Sequence, residues 1–457
     1  MQKPSNPQGT RDFGPEIMRK REYILDTIKT VYKKYGFEPL ETPALEKLDT
    51  LEGKYGEEGD KLLYKIRSNK ELAAEVTSEQ AEGLKKLLPG AWIAGESKLG
   101  LRYDLTVPFA RFVVQHRNDI TFPFRRYQIQ NVWRADRPQK GRFREFTQCD
   151  ADCIGSNSLL HEADLIQIYN EVFVGLGLPN AVLKVNHRKF LEALVDELNI
   201  DFPVGKFTST LDKLDKIGED GVIKELTAYG IDEGKCKQLF AIIDNAELTT
   251  GNLSVFAKAF NNNPIAQNAI DDLARVLAFL GENKLDIRVE LDLSLARGLD
   301  YYTGCIFEAI VPESGMGSVS GGGRYDDLTG VFGLKDVSGV GISFGIDRIY
   351  EIIETSELWP DNLNTNQSIL LCHFDEVSQV YAVQLASRLR KDGLQAIVFP
   401  DLKRINKQFD FANKIGVKYA LVVGDTEMST GNLTVKNLIK GEQQTLSYNE
   451  ALAYLKN

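Results

Sequence analysis

The sequence predicts a chain of mixed α and β elements in three parts. Three observations predict it. Residues 125–152 read as one long antiparallel hairpin, roughly a hundred residues from 189 to 286 carry helical sequence, and residues 367–457 alternate apolar strands with helices. A length of 457 residues with 43% hydrophobic and 26% charged content is ordinary for a globular protein of two to four domains. No run of eighteen apolar residues occurs, so no membrane span is expected. The first sixteen residues lack an apolar core, so no secretory signal is expected either. The five cysteines, at 149, 153, 236, 305 and 372, are scattered and read as reduced thiols of a cytoplasmic protein. Cys149 and Cys153 have no partner pair or nearby histidine, so no zinc is expected.

Residues 15–35 form an amphipathic helix, with Ile17, Ile24, Ile28, Val31 and Tyr35 at helical spacing and Gly36 ending it. Residues 60–110 mix strands and a helix. Within them, GLRYDLTVP (100–108) reads as an extended segment in which Asp104 and Thr106 point the same way. The hairpin follows. Residues 127–133 alternate with a period of two, RADRPQKG (134–141) supplies Pro138 and Gly141 for a turn, and a second strand runs over 142–152. The character changes at 186–188, where the helical stretch begins, and strand periodicity returns at 287–293. LWPDNLNTNQ (358–367) is a polar linker, and strands at 369–372, 396–399 and 420–423 alternate with helices in a pattern for parallel pairing.

The hairpin is also where the chemistry concentrates. Arg125, Arg126, Arg134, Arg137, Lys140, Arg142 and Arg144 fall within twenty residues, against Asp136 and Glu145, on a chain of net charge −10. Like charges held together need an anion or solvent between them. By alternation, Arg142, Arg144, Phe146, Gln148 and Asp152 share one face. Guanidiniums, a ring, an amide and a carboxylate in that order suit a polyphosphate, a base and a small polar group. A solvated basic hairpin is the alternative from charge alone. Residues 367–457 hold eleven Lys/Arg and nine Asp/Glu, leaving −12 on residues 1–366. Arg388, Arg390, Lys391, Lys403, Arg404 and Lys407 account for most of that basicity, which suits either RNA contact or a solvated surface.

Several segments resemble class II aminoacyl-tRNA synthetases, in the right order. The hairpin resembles motif 2, KYGFEPLETPALEKLDTL (34–51) with Pro43 resembles motif 1, and GVGISFGIDRIYEI (339–352) with Arg348 resembles motif 3. RGLDYYTGCIFEA (297–309) and SGGGRYDDL (320–328) are similar to the two histidine-specific motifs of the histidyl-tRNA synthetases. The resemblance runs over nearly the whole chain. It implies an α+β catalytic domain built on an antiparallel sheet, over 1–186 and 287–358. It also implies a helical insertion domain over 187–286 and an α/β anticodon-binding domain over 367–457.

The same resemblance implies the residues of a site. Arg134 would clamp carboxylate and α-phosphate, Arg348 would lie on the γ-phosphate side, and Arg297 would take the α-phosphate from the opposite side. Arg142, Phe146 and Asp136 would meet ATP, with magnesium held by the phosphates and water, and Gly322 and Gly323 would floor the adenosine site as part of a loop. Asp152 and Tyr302 would take the imidazole edge. Asp104, Thr106 and Gln148 would surround the α-amino group, with Tyr301 and Tyr325 lining the pocket. Many relatives carry Glu where this chain has Asp104 and Asp152; a subset carries Asp at both. Arg137, Gln139 and Lys140, in the motif 2 loop, would meet the acceptor end of tRNA(His), with its extra 5′ guanosine. The family also implies a homodimer, with Pro43 near the two-fold axis.

The rival from another class is a histidine-sensing regulatory subunit of ATP phosphoribosyltransferase, which shares the fold without making an adenylate. Retention of Arg134, Arg297 and Arg348 together with the C-terminal unit argues against it. RGLDYYTG argues against a relative activating threonine or proline, and a class I enzyme is excluded by the lack of HIGH-like and KMSKS-like segments.

Overall fold

Alternating apolar residues and well-placed glycines assemble a nine-stranded sheet in the first part of the chain. The computed structural model describes residues 3–55, 59–66, 98–244, 248–249, 253, 258, 260, 263–296, 302–363 and 366–456. They divide into two compact units, Met1–Glu357 and Leu358–Asn457.

The first unit opens with helix α1 (Pro15–Lys34), entered through Pro15 and buried through Ile24, Ile28, Val31 and Tyr32. Strand β1 (Glu38–Pro39) pairs in parallel with β2 (Phe124–Trp133). Helix α2 (Thr106–Gln115) lies between them in sequence. Strand β2 then pairs antiparallel with β3 (Glu145–Ile154) over ten residue pairs, so the long hairpin is real. Helix α3 (Leu160–Gly175) leads to β4 (Val182–His187). Helix α4 (Arg188–Glu197) opens the helical stretch, which also carries β5 (Leu248–Thr249) and α5 (Pro264–Leu280). Asn263 caps α5 with its side-chain oxygen, just ahead of Pro264. The chain re-enters the sheet at β6 (Arg288–Leu291), parallel to β4, so the helical stretch lies within the first unit. Strands β7 (Cys305–Ile310), β8 (Ser320–Tyr325) and β9 (Gly339–Gly345) follow, and helix α6 (Ile346–Thr355) closes the unit.

The spatial order is β1-β2-β3-β9-β8-β7-β4-β6-β5. From β2 to β4 every neighbouring pair is antiparallel. One face of this centre packs on α1 and α3, through aromatic contacts of Tyr32, Tyr169, Phe173 and Phe344.

Three expectations shift. The second hairpin strand begins at Glu145, not 142, because Arg142 exchanges backbone hydrogen bonds with Gln139 and the Arg144 amide bonds to Gly9. Residues 320–325 are an interior strand, not a loop. A Cβ on Gly322 would lie 2.2 Å from the Gly341 carbonyl, and one on Gly323 would lie 2.8 Å from both Cys305 O and the Tyr302 ring. The glycines thus allow close strand and ring packing. Finally, Thr106 starts α2, and Asp104 caps that turn by accepting from Val107 N at 3.2 Å.

The second unit is a five-stranded sheet. Strands β10 (Asn366–His373), β11 (Ala396–Val398) and β12 (Val417–Val423) are parallel, as the alternation predicts. An antiparallel pair, β13 (Leu433–Asn437) and β14 (Glu442–Leu446), extends it and was not foreseen. Ile369 and Leu371 face a core with helix α7 (Glu376–Lys391), whereas Leu370 and Cys372 face helix α8 (Ile405–Lys414) on the other side. Both faces are covered, which is why these strands read as continuous apolar runs. The six basic residues noted above are exposed. Lys403 pairs with Asp401, Lys407 with Asp410, and Arg388 stacks on Tyr448.

Among the described residues no helix is long and apolar enough to cross a membrane. All five cysteines are buried free thiols. A buried pair joins Arg324 of β8 to Glu162 of α3, with Nε and Nη2 2.5 and 2.7 Å from the two carboxylate oxygens. Arg324→Met should cost about 3–5 kcal/mol in urea unfolding, because Glu162 is left charged and fully buried. Adding Glu162→Leu should recover most of that loss; a double variant as unstable as the single one would contradict the pairing.

Candidate active site

The face of the central sheet opposite α1 and α3 carries an open cavity of about 280 Å³. Strand β3 supplies its backbone of function. Phe146, Gln148 and Asp150 alternate onto this face, and Asp152 follows at the same spacing. The cross-strand partners of Gln148, Asp150 and Asp152 on β9 are Gly345, Ser343 and Gly341. These small residues leave the space that the cavity occupies. At Gly341 the requirement is acute, since a Cβ there would sit 2.0 Å from Asp152 Oδ1.

One end of the cavity is cationic and aromatic. Arg134, Arg142 and Arg348 line it with Phe143 and Phe146. The Arg134 guanidinium lies 4.2 Å over the Tyr103 ring and 5.1 Å from the Phe146 ring, held by its Nε bond to Tyr103 O at 3.1 Å. Arg142 Nε is 3.2 Å from Asp136 Oδ2. Arg348, in the first turn of α6, donates to the carbonyl of Ser318. Three guanidiniums facing one space suit a polyanion.

The other end is acidic and hydroxylic, with Asp104, Thr106, Gln148, Asp150, Tyr302 and Ser343. Tyr55 donates to Asp104 Oδ1 at 3.0 Å, and Asp104 Oδ2 is buried without a hydrogen-bond partner. Burial raises the Asp104 carboxyl to about 6, against the opposing pull of Arg134. Burial also raises Asp150 and Asp152. Tyr302 is pushed well up by burial and by its acidic neighbours, so its hydroxyl stays protonated and can donate.

The cavity therefore gathers nine of the expected residues: Asp104, Thr106, Arg134, Asp136, Arg142, Phe146, Gln148, Tyr302 and Arg348. Others fall elsewhere. Asp152 is 2% exposed, its Oδ1 accepts from Tyr325 at 2.7 Å, and its Oδ2 lies 2.8 Å from Arg126 Nη2 without a hydrogen-bond partner; neither Asp152 nor Tyr325 is among the residues that line the cavity. Gly322 and Gly323 are buried in β8, and their neighbour Gly321 takes the cavity position. Arg144, expected on the same face, turns away, with its Nε bonded to Asp136 O at 3.0 Å. Arg137, Gln139 and Lys140 are exposed on the hairpin turn beside Gly141, whose φ of +70° tightens it. Arg297 and Tyr301 lie outside the described residues.

Sequence reasoning missed Asp150, Ser343, Ser318 and Asp347, all on the cavity. Period-two alternation should have included Asp150, because it lies between Gln148 and Asp152 on the same face. It also missed the N-terminal arm. Asp347 accepts from Arg11 at 2.6 Å and Arg21 at 2.5 Å, and the Arg11 guanidinium lies 3.2 Å over Phe143. No periodicity marks that arm.

The Asp104 environment gives a pH test. Its folded value lies above the unfolded one, so its stabilising contribution is complete below about pH 4 and lost as pH rises through about 6. Asp104→Asn removes that dependence. The stability of the variant minus that of the parent, from urea unfolding, should rise by about 1.4 kcal/mol between pH 5 and pH 8. A constant difference would mean that Asp104 ionises as freely in the fold as out of it.

Comparison with known proteins places this architecture. The family model described as histidyl-tRNA synthetase matches residues 93–349, and the anticodon binding domain model matches residues 363–457. The chain is 46% identical to a histidine–tRNA ligase of Cytophaga hutchinsonii, covering 99% of each chain. It is also 46% identical to a histidine–tRNA ligase of Christiangramia forsetii, covering 100% of each. Its fold is similar to the crystal structure of histidyl-tRNA synthetase from Nostoc sp. PCC 7120, with a TM-score of 0.83 and 28% identity, covering 99% of this chain and 98% of that one. On a match to more than half its length, and on full-length relatives at this identity, the chain belongs to the histidyl-tRNA synthetase family.

Proposed function

We propose that the cavity activates L-histidine with ATP and that the protein then transfers it to the 3′ end of tRNA(His). The observation that carries this reading is a cationic, aromatic end and an acidic, hydroxylic end in one cavity, in a chain related over its full length to histidine–tRNA ligases. The histidine carboxylate attacks the α-phosphorus, the bond to the β-phosphate breaks, and pyrophosphate leaves. The ribose hydroxyl of the tRNA end then attacks the acyl carbon, loses its proton, and releases AMP.

Placement and charge stabilisation do most of this work. Arg134 lies where the two ends meet, next to both Phe146 and Asp104, and it would hold the carboxylate against the α-phosphate. Arg348 and Arg142 would hold the outer phosphates, with Phe146 against adenine and Asp136 beside it. ATP brings magnesium, held by its phosphates and by water. Asp104, Thr106 and Gln148 would receive the α-ammonium group, and Tyr302 would donate to the imidazole. Arg297 and Tyr301 belong to the same proposal through their motif alone, Arg297 as a second arginine for the α-phosphate. Asp152 would take the imidazole edge with Tyr302, and Tyr325, which donates to Asp152, would line the pocket. Arg137, Gln139 and Lys140, exposed at the hairpin turn, would meet the acceptor end, giving a salt-dependent interaction. We also propose that the protein is a cytoplasmic homodimer joined near Pro43. Its domains would be the catalytic domain (1–186 and 287–358), the helical insertion (187–286) and the anticodon-binding domain (367–457).

ATP–pyrophosphate exchange, run with each of the twenty amino acids in the absence of tRNA, tests the reading. Histidine alone should support exchange. Exchange with a different amino acid would reassign the pocket, and tight histidine binding without exchange would make the protein a sensor. Within the mechanism, Arg134→Ala and Arg297→Ala should each slow single-turnover adenylate formation by about 3 kcal/mol in barrier, or roughly a hundredfold. An unchanged rate in either variant would remove that arginine from the transition state.

A further inference from the structure

The two arginines proposed for the outer phosphates stand on separate elements. Arg142 belongs to the hairpin turn and Arg348 to α6. Between Trp133 and Glu145 the turn's backbone bonds to itself at two places, Arg134 N to Arg144 O at 3.0 Å and the bridge between Gln139 and Arg142. Toward α6 it offers Gly141 O, which lies 3.5 Å from Arg348 Nε, at the limit of a hydrogen bond. A polyphosphate clamp needs its cations at a fixed spacing, because misplacement by an ångström costs rate.

The N-terminal arm ties the two elements together. Gly9 O accepts from Arg144 N at 2.9 Å. Gly9 has a φ of +83°, and a Cβ there would lie 2.8 Å from Arg144 Cγ, so glycine suits this close approach. Two residues on, Arg11 reaches both elements at once. Its Nη2 donates to Asp347 Oδ1, in the first turn of α6, at 2.6 Å. Its guanidinium lies 3.2 Å over the ring of Phe143, the residue after Arg142. Phe143 and Asp347 line the cavity, whereas Arg11 is not among the lining residues. Arg21 of α1 takes the same Asp347 oxygen at 2.5 Å and donates to Thr147 of β3 at 3.1 Å. Asp347 is thus anchored to the sheet without Arg11, and what Arg11 alone adds is the link from that anchor to the turn.

We propose that Arg11 is a positioning residue for ATP: it pins the hairpin turn, through Phe143, to the start of α6, through Asp347, and so sets Arg142 against Arg348 without itself touching the nucleotide. This rests on the reading above for the ATP end of the cavity, and not on which amino acid is activated.

Steady-state ATP–pyrophosphate exchange by the full-length protein tests it. Arg11→Ala should raise the ATP KM about tenfold and leave the histidine KM unchanged, as for loss of a charge-assisted hydrogen bond and a cation–ring contact. Arg11→Lys keeps a cation for Asp347 but loses the flat face on Phe143, so it should recover only part of that loss, and it decides the matter if Arg11→Ala does not fold. Phe143→Leu should also raise the ATP KM, and combining it with Arg11→Ala should add little, since both cut one link. Losses that multiply in the double variant would mean that Arg11 does not act through Phe143. An ATP KM within about twofold of the parent in Arg11→Ala, or in Arg11→Lys where only that variant folds, would overturn the proposal, as would a histidine KM that rises in step. Should the parent exchange with another amino acid, the ATP KM is read with that one. A parent that exchanges with none would overturn the functional reading and this inference together.

Discussion

The register of β3 between β2 and β9 is the constraint on which the rest depends. Because side chains alternate along a strand, Phe146, Gln148, Asp150 and Asp152 must share a face, and a slip of one residue would send all four to the opposite, aromatic side. Partners on β9 then have to be small. Gly341, Ser343 and Gly345 leave a trough where larger side chains would fill the sheet surface, and the missing Cβ of Gly341 gives Asp152 its room. The aromatic packing of Tyr32, Tyr169 and Phe344 on the other face fixes the sheet against α1 and α3 and so holds that register.

Charge follows from this geometry. Three aspartates, Asp104, Asp150 and Asp152, are brought into one poorly solvated region, and Arg126 at 0% exposure is the guanidinium embedded with them. That guanidinium lies 2.8 Å from Asp152, which also accepts from the phenol of Tyr325. Asp104, Asp150 and Asp152 each keep a buried oxygen without a hydrogen-bond partner. At the opposite end carbonyls accept from Arg134 and Arg348, the Tyr103 ring lies under Arg134, and Asp136 pairs with Arg142. The cavity is thus polarised before any ligand arrives, and a zwitterionic amino acid beside a polyphosphate complements it end to end.

The N-terminal arm contributes through contacts that no local rule describes. Arg11 bridges Asp347 and the Phe143 ring, Arg21 takes the same carboxylate, and the Gly9 carbonyl receives the Arg144 amide that would otherwise extend the hairpin ladder. Residues more than three hundred positions apart therefore shape the cationic rim together.

The sequence by itself determined the long hairpin, the parallel strands of the second unit, α1, and the shared face of Phe146 and Gln148. These follow from period and composition over short windows, where neighbouring residues decide the outcome. Tertiary structure decided what local pattern leaves open. It made the glycines at 321–323 an interior strand, because their lack of side chains serves the approach of Tyr302 and β9. It started a helix at Thr106, through a cap that Asp104 makes to Val107. It put Asp150 among the residues that line the cavity and Asp152, two residues on along the same face, against Arg126 and Tyr325, while Ser343 meets Asp150. Those three groups come from other strands, and their distance to β3 in sequence carries no signal of their distance in space.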